Sequence, residues 1–144
     1  MIITVTLNPA LDKTVEIPDF SIDAVGRITK MRTDPGGKGL NVSKVIAKLG
    51  GASTAVGLLG GATGRRIADA MDALGIACKF TFVEGETRTN LKVIDPVRHT
   101  NTDLNEPGLT VTQETLDGML AALTQSIRSG DIVVLSGSLP KGAS

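Results

Sequence analysis

The sequence predicts an α/β chain with a mostly parallel sheet flanked by helices and a second, smaller sheet beside it. Three observations lead there. Near-continuous apolar runs at residues 2–7, 53–59 and 131–136 read as strands buried on both faces. Between them lie amphipathic stretches with apolar residues at i, i+3, i+4 and i+7, the helical period. Segments 13–17, 27–31 and 89–95 instead alternate apolar with polar residues, which suits a sheet exposed on one side.

Taken in order, the first strand ends at Asn8-Pro9, and Thr14-Val15-Glu16-Ile17 and Arg27–Met31 follow as short half-polar strands. A first helix is expected from Lys38 or Gly39, with Val42, Val45, Ile46 and Leu49 as its stripe and Gly50-Gly51 as its stop. Ser53 to Leu59 is the second buried strand. A second helix, about Thr63 to Leu74, carries Ile67, Ala70, Met71 and Leu74 and ends at Gly75. Strands near 77–83 and 89–95, the latter closed by Asp95-Pro96, precede a polar, turn-rich passage to Gly108. The third helix carries Leu116, Leu120, Leu123 and Ile127. Thr110-x-x-Gln113 fits a capping box at its start, and Thr112 is the alternative cap. Asp131 to Ser136 reads as a third buried strand. The loop 137–144 after it normally leads into another helix, so the chain is expected to stop within a strand–helix unit and leave a strand edge unpaired.

Composition excludes several function classes. With 144 residues the chain has the length of one domain. Fifteen basic and fifteen acidic side chains cancel, which favours neither nucleic acid nor an anionic membrane. No apolar run approaches the ~20 residues of a membrane span, and the N-terminus lacks the basic start of a signal peptide. Cys78 stands alone among Ile76, Ala77 and Phe80 and reads as a buried thiol, which gives a cytoplasmic address. The single histidine, His99, sits in a polar stretch as a solvated loop or hairpin residue. One histidine and one cysteine build neither a zinc site nor a Ser-His-Asp arrangement. Asn41-Val42-Ser43 matches a glycosylation acceptor, an incidental match in an intracellular chain.

The chemistry is concentrated in Pro35-Gly36-Gly37-Lys38-Gly39-Leu40-Asn41, which opens straight into the first helix. Glycines let a backbone approach a ligand closely, and a helix N-terminus presents unpaired N–H groups and the positive end of a dipole. Lys38 adds a mobile cation, and the Asn41 amide both donates and accepts hydrogen bonds. Together they suit an anionic, hydroxylated small molecule such as a sugar phosphate; the plain alternative is a glycine-rich turn before a helix. A P-loop is excluded, because Gly39 follows Lys38 and Arg32 stands where the first glycine belongs. A dinucleotide fingerprint is excluded too, because Val42 occupies the third glycine position.

With Gly37, Gly39, Asn41, Ser43, Gly50 and Gly60 at their observed spacing, the sequence resembles the N-terminal half of a PfkB-family sugar kinase of ribokinase-like fold. Thr6–Asp12, Thr87–Lys92, Thr102–Gly108 and Ser136–Pro140 extend the resemblance over essentially the whole chain. It is strongest toward 1-phosphofructokinases and tagatose-6-phosphate kinases: Lys38 stands where the minor 6-phosphofructokinases have glycine, and Asp103 where they have arginine.

The resemblance implies residues 1–144 as the N-terminal portion of one ribokinase-like α/β domain, with strands of a small β-sheet lid inserted at about 12–33 and 86–106. It implies that Asp12 and Asn41 bind sugar hydroxyls, that Lys38 and Arg88 bind the substrate phosphate, and that Ser138 contacts the sugar. Asp12 read alone is also a turn-forming residue. Gly37 and Gly39 belong to the same substrate site, and Arg27 matches a basic lid position or is a solvated surface charge.

The implied reaction moves the γ-phosphoryl of ATP to a hydroxyl of a ketohexose phosphate, fructose 1-phosphate first and tagatose 6-phosphate next, with Mg²⁺ as companion. The family's Gly-Ala-Gly-Asp motif, which holds the catalytic base, does not occur in this sequence. The implied catalytic and nucleotide residues therefore lie in the second half, and this chain alone is expected to be inactive. Pairing of two copies through the lid sheet is a further implication. The alternative is a non-catalytic sugar-phosphate-binding module derived from such a kinase.

Overall fold

Strand alternation assigns each residue of the first strand to one of two faces, and the layers are built on those faces. The computed structural model describes residues 1–143; Ser144, the end of the expected final loop, lies outside the described residues. The elements run β1 (Ile2–Thr6), β2 (Ala10–Glu16), β3 (Lys30–Gly36), α1 (Lys38–Lys48), β4 (Thr54–Leu59), α2 (Gly61–Ala73), β5 (Ala77–Phe82), β6 (Arg88–Asp95), β7 (Thr100–Asn105), α3 (Gln113–Ser126) and β8 (Ile132–Leu135). One sheet, ordered β5-β4-β1-β8, is parallel throughout. The other, ordered β3-β2-β6-β7, pairs β2 with β6 in parallel between two antiparallel partners.

On one face of the parallel sheet Ile3, Val5, Val56 and Leu58 pack with Leu109, Val111, Met119 and Leu123, which seats α3. On the other, Ala55 and Leu59 pack with Leu40, Ile67, Met71 and Ile76 from and beside α1 and α2. Each fully buried Leu, Ile or Met contributes about 1.5–3 kcal/mol. Thr4 and Ser43 share a buried hydroxyl–hydroxyl bond of 2.7 Å, and Ser53 Oγ donates to Ser43 Oγ at 2.9 Å, so α1 is fixed to β1 by polar contacts as well. The small sheet has its own cluster of Val15, Ile17 and Val93, flanked by Phe20 and Leu91.

The architecture is the expected one; several details differ. The α1 stripe is rotated: Gly39, Leu40 and Ser43 are buried, whereas Val45 and Leu49 are exposed, because the helix meets β1 through its small residues. The α3 stripe centres on Met119 and Leu123, with Leu120 and Ile127 outside, and Thr112 rather than Thr110 caps it, accepting from the Thr115 N–H at 3.2 Å. β8 is not a fully buried strand, since it forms the sheet edge and leaves Ile132 and Leu135 60% and 74% exposed. The second half-polar strand starts at Lys30 rather than Arg27, and the polar passage before Gly108 contains β7, held by its ladder to β6. The two hairpins of the small sheet therefore run from Ala10 to Gly36 and from Arg88 to Asn105. His99 is exposed in the β6–β7 turn at φ 55, and Cys78 is half-buried, its thiol pushed up to about 11 by burial. No helix among the described residues is long and apolar enough to cross a membrane.

Candidate functional site

The chain leaves β1 over one face of the parallel sheet toward β4 and returns to β8 on the other side of β1. Loops following strands that part in this way open a crevice at the carboxyl ends, the usual ligand position in open α/β sheets. Here the loops after β1 and β8, the start of β6 and the N-terminus of α1 surround a cleft of about 370 Å³, lined by Asn8, Asp12, Gly37, Lys38, Asn41, Arg88, Asn90, Gly137 and Ser138.

Backbone geometry brings α1 to this place. Gly37 precedes the helix at φ 119, a left-handed conformation that a side chain would strain. A Cβ at Gly39 would overlap the Thr6 hydroxyl and come within 2.8 Å of the Val5 carbonyl, so only glycine lets the helix start so close to the end of β1. The helix has no side-chain cap and no acidic residue in its first turn. Its free N–H groups and Lys38 thus give the cleft a positive end.

The opposite wall comes from the small sheet. Register places Asp12 of β2 between Asp34 of β3 and Asn90 of β6. Asn90 Nδ2 donates to Asp12 Oδ1 at 3.5 Å. Burial raises the Asp12 carboxyl above its ordinary value and Asp34 adds to this; the Asn90 bond and the charges of Lys44 and Arg88 pull it back. Arg88 Nη2 donates to the Asn8 carbonyl at 3.0 Å and reaches Ser138 Oγ at 3.5 Å. Asn8 Nδ2 in turn donates to Pro107 O and Ser138 Oγ, both at 3.3 Å, tying the loops after β1, β7 and β8 together. Arg88 Nε and Asn90 Oδ1 are buried without a protein partner, an unused donor and an unused acceptor at the cleft.

Six residues singled out from sequence, Asp12, Gly37, Lys38, Asn41, Arg88 and Ser138, line this one cleft. Gly39 lies buried behind it against β1. Arg27 does not reach it; it sits in the exposed connection between β2 and β3, at the end of β2 away from Asp12. Asn8, Asn90 and Gly137 line the cleft without having been given a role. Asn90 was within reach of strand alternation, since it stands two residues from Arg88 on the same strand face. The arrangement offers two cations and a helix N-terminus to an anion, and a carboxylate, amides and a hydroxyl to a polyol. No group of three or more His, Cys, Asp or Glu among the described residues is placed to hold a metal ion.

Fold and cleft define an α/β protein with a polar cleft, bearing two cations and a helix N-terminus, at the end of a parallel sheet. The chain belongs to the pfkB family of carbohydrate kinases, whose profile matches residues 5–144. It is 42% identical over 142 residues to 1-phosphofructokinase of Rhodobacter capsulatus, a match covering 98% of this chain and 45% of that protein. Tagatose-6-phosphate kinase of Staphylococcus epidermidis is 34% identical over 142 residues, covering 99% and 45%. Among solved structures, phosphofructokinase-2 of Escherichia coli in complex with fructose-6-phosphate superposes with TM-score 0.93 at 32% identity, covering 99% of this chain and 47% of that one. The fold is thus ribokinase-like, and the chain spans about half the length of the curated relatives it matches.

Proposed function

We propose that the cleft binds a ketohexose phosphate, fructose 1-phosphate first and tagatose 6-phosphate next, as the acceptor site of a kinase that uses ATP. The observation that carries this reading is the convergence of Asp12, Lys38, Asn41, Arg88 and Ser138 on one cleft, in a chain whose relatives are named sugar-phosphate kinases. Lys38 and Arg88 bind the phosphate, the guanidinium of Arg88 by its planar fork. Asp12 and Asn41 hold sugar hydroxyls, and Ser138 closes the far side. Holding the acceptor in one orientation is itself a large part of phosphoryl-transfer catalysis.

ATP supplies the γ-phosphoryl when bound. The residues described here provide neither a P-loop nor a metal-ligand cluster. We assign the nucleotide, Mg²⁺ and the base for the sugar hydroxyl to the length of the relatives that this chain does not span. The chain alone then binds sugar phosphate without turning it over. The same reading places it in the cytoplasm, in keeping with its lone cysteine, and pairs two copies through the small sheet, whose β2–β3 connection exposes Ile22, Val25 and Ile28.

Calorimetry of the chain with fructose 1-phosphate, tagatose 6-phosphate, fructose 6-phosphate and fructose tests this, alongside an ATP-coupled turnover assay. Binding of a phosphorylated ketose with none of fructose is expected, fructose 1-phosphate being the tightest, without turnover. Absence of binding by all three phosphates overturns the substrate assignment, and turnover by this chain overturns the division of labour.

A further inference from the structure

Lys44 stands one turn beyond Asn41 along the same side of α1, half-buried at the helix surface. It borders a second cleft of about 650 Å³ that runs along the small sheet and shares Asp12 and Asn90 with the first. Its Nζ donates to the Pro35 carbonyl at 2.6 Å. Pro35 lies next to Asp34, the direct β3 partner of Asp12, so this bond holds the ammonium beside the strand pair that carries both carboxylates.

Two other cations around that cleft have partners of their own. Arg32 of β3 pairs with Asp34 at 3.1 Å, and Lys92 of β6 pairs with Asp103 of β7 at 3.5 Å. The charges that bear on Asp12 are Lys44 from α1, Arg88 from β6 and Asp34 from β3. Lys44 faces Asp34, Asp12 and Lys48 in turn, and burial lowers it below its ordinary value. Lys48, one turn further along α1, lines the same cleft and is exposed.

We propose, resting on the sugar-phosphate reading, that Lys44 is a positioning residue for sugar recognition: tethered to the Pro35 carbonyl on the cleft it shares with Asp12, its ammonium keeps the Asp12 carboxylate charged to accept sugar hydroxyls. Lys44 acts through Asp12 and does not itself touch the sugar. Removing the charge leaves burial and Asp34 with less opposition, so Asp12 takes up its proton at a higher pH.

The test is NMR titration of the Asp12 carboxyl carbon in the ligand-free chain, with fructose 1-phosphate affinity measured by calorimetry across the same pH range. The variants are Lys44→Met, Lys44→Gln, Lys44→Arg and Lys48→Met. Lys44→Met and Lys44→Gln should move the Asp12 midpoint upward and carry the acidic limb of binding with it, weakening affinity about tenfold on that limb, which corresponds to about one pH unit. Lys44→Arg and Lys48→Met should titrate and bind close to the parent protein. Lys44→Gln keeps a donor for Pro35, so it separates charge from tether and stands in if the methionine variant does not fold. An Asp12 midpoint unmoved by loss of the Lys44 charge, or moved equally by Lys48→Met, overturns the proposal. Failure of the parent chain to bind fructose 1-phosphate overturns the substrate reading instead, and the Asp12 midpoint still decides whether Lys44 governs that carboxylate.

Discussion

Asp12 and Asp95 belong to the same small sheet, near opposite ends of it, and what surrounds them separates their roles. Asp95 closes β6 at 1% exposure and accepts backbone N–H groups from Asp19, Phe20, Val97 and Arg98 at 2.9–3.2 Å. Asp12 receives one side-chain donor, Asn90, at 3.5 Å. Burial opposes the charge on both. At Asp95 the four N–H groups more than offset it and hold the carboxyl below its ordinary value, whereas at Asp12 burial prevails and the value rises. An ionised carboxylate has about four acceptor sites. Asp95 uses them to fix the β2–β3 connection and the β6–β7 turn, and Asp12 leaves most of them without a partner among the described residues. One end of the sheet holds itself together, and the other is the end to which the proposed function gives the sugar.

The largest effect should come from removing the acceptor at the ligand end. Asp12→Asn should weaken fructose 1-phosphate binding about a hundredfold, as expected for hydrogen bonds to a charged group. It should not cost stability at neutral pH. The folded value of Asp12 lies above the unfolded one, so its contribution to stability is fully present below the unfolded value and lost as pH rises through the folded one. Chemical unfolding at neutral pH should find Asp12→Asn at least as stable as the parent, with that advantage gone in acid. A variant that binds like the parent would erase the contrast between the two carboxylates.

Asp95→Asn should reverse the pattern. One amide oxygen cannot accept four N–H bonds, and its NH₂ faces donors, so unfolding should occur at clearly lower denaturant while affinity in the surviving folded protein changes less than about threefold. Here the sign is opposite. A lowered folded value gives stability that is present above the unfolded value, about 3.8, and is lost as pH falls through the folded one. The parent and Asp95→Asn should therefore converge in stability in strong acid. A gap of the same size at neutral and strongly acidic pH would show that the Asp95 charge plays no part.

That contrast also marks how far the sequence could be read. The parallel strands and three helices follow from apolar runs and period, and the small sheet from alternation. Which side of α1 faces inward does not, because Gly39 and Ser43 fit against Thr6 and Thr4 while the apolar Val45 and Leu49 stay outside. β7, Thr-Asn-Thr-Asp-Leu-Asn, has almost no apolar signal and owes its shape to pairing with β6. Within the cleft, the Gly37–Asn41 run was legible as chemistry from local residues, and Asp12, Arg88 and Ser138 only through resemblance to a family. Asn90 follows from Arg88 by strand alternation, whereas Asn8 and Lys44 needed the way β2, β3 and β6 come together, which long-range pairing decides. Asp95, read from sequence as the end of a strand, becomes an anchor only when residues 19–20 fold back onto it.

The smallest effect tests whether Asp12 and Asn90 work as a unit. A single 3.5 Å bond between them is worth little by itself, so Asn90→Ala should weaken fructose 1-phosphate binding only about fivefold. Losing that donor also removes the first of the influences that pull the Asp12 carboxyl down, so the weakening should be greater toward acid than toward neutral pH. The informative measurement is the double variant. If Asn90 serves binding by orienting Asp12, adding Asn90→Ala to Asp12→Asn should cost almost nothing more, a coupling as large as the single effect. Strict additivity would mean that Asn90, through its unpaired buried Oδ1, meets the ligand on its own account, and the ligand end of the sheet would then hold two independent contacts in place of one supported carboxylate.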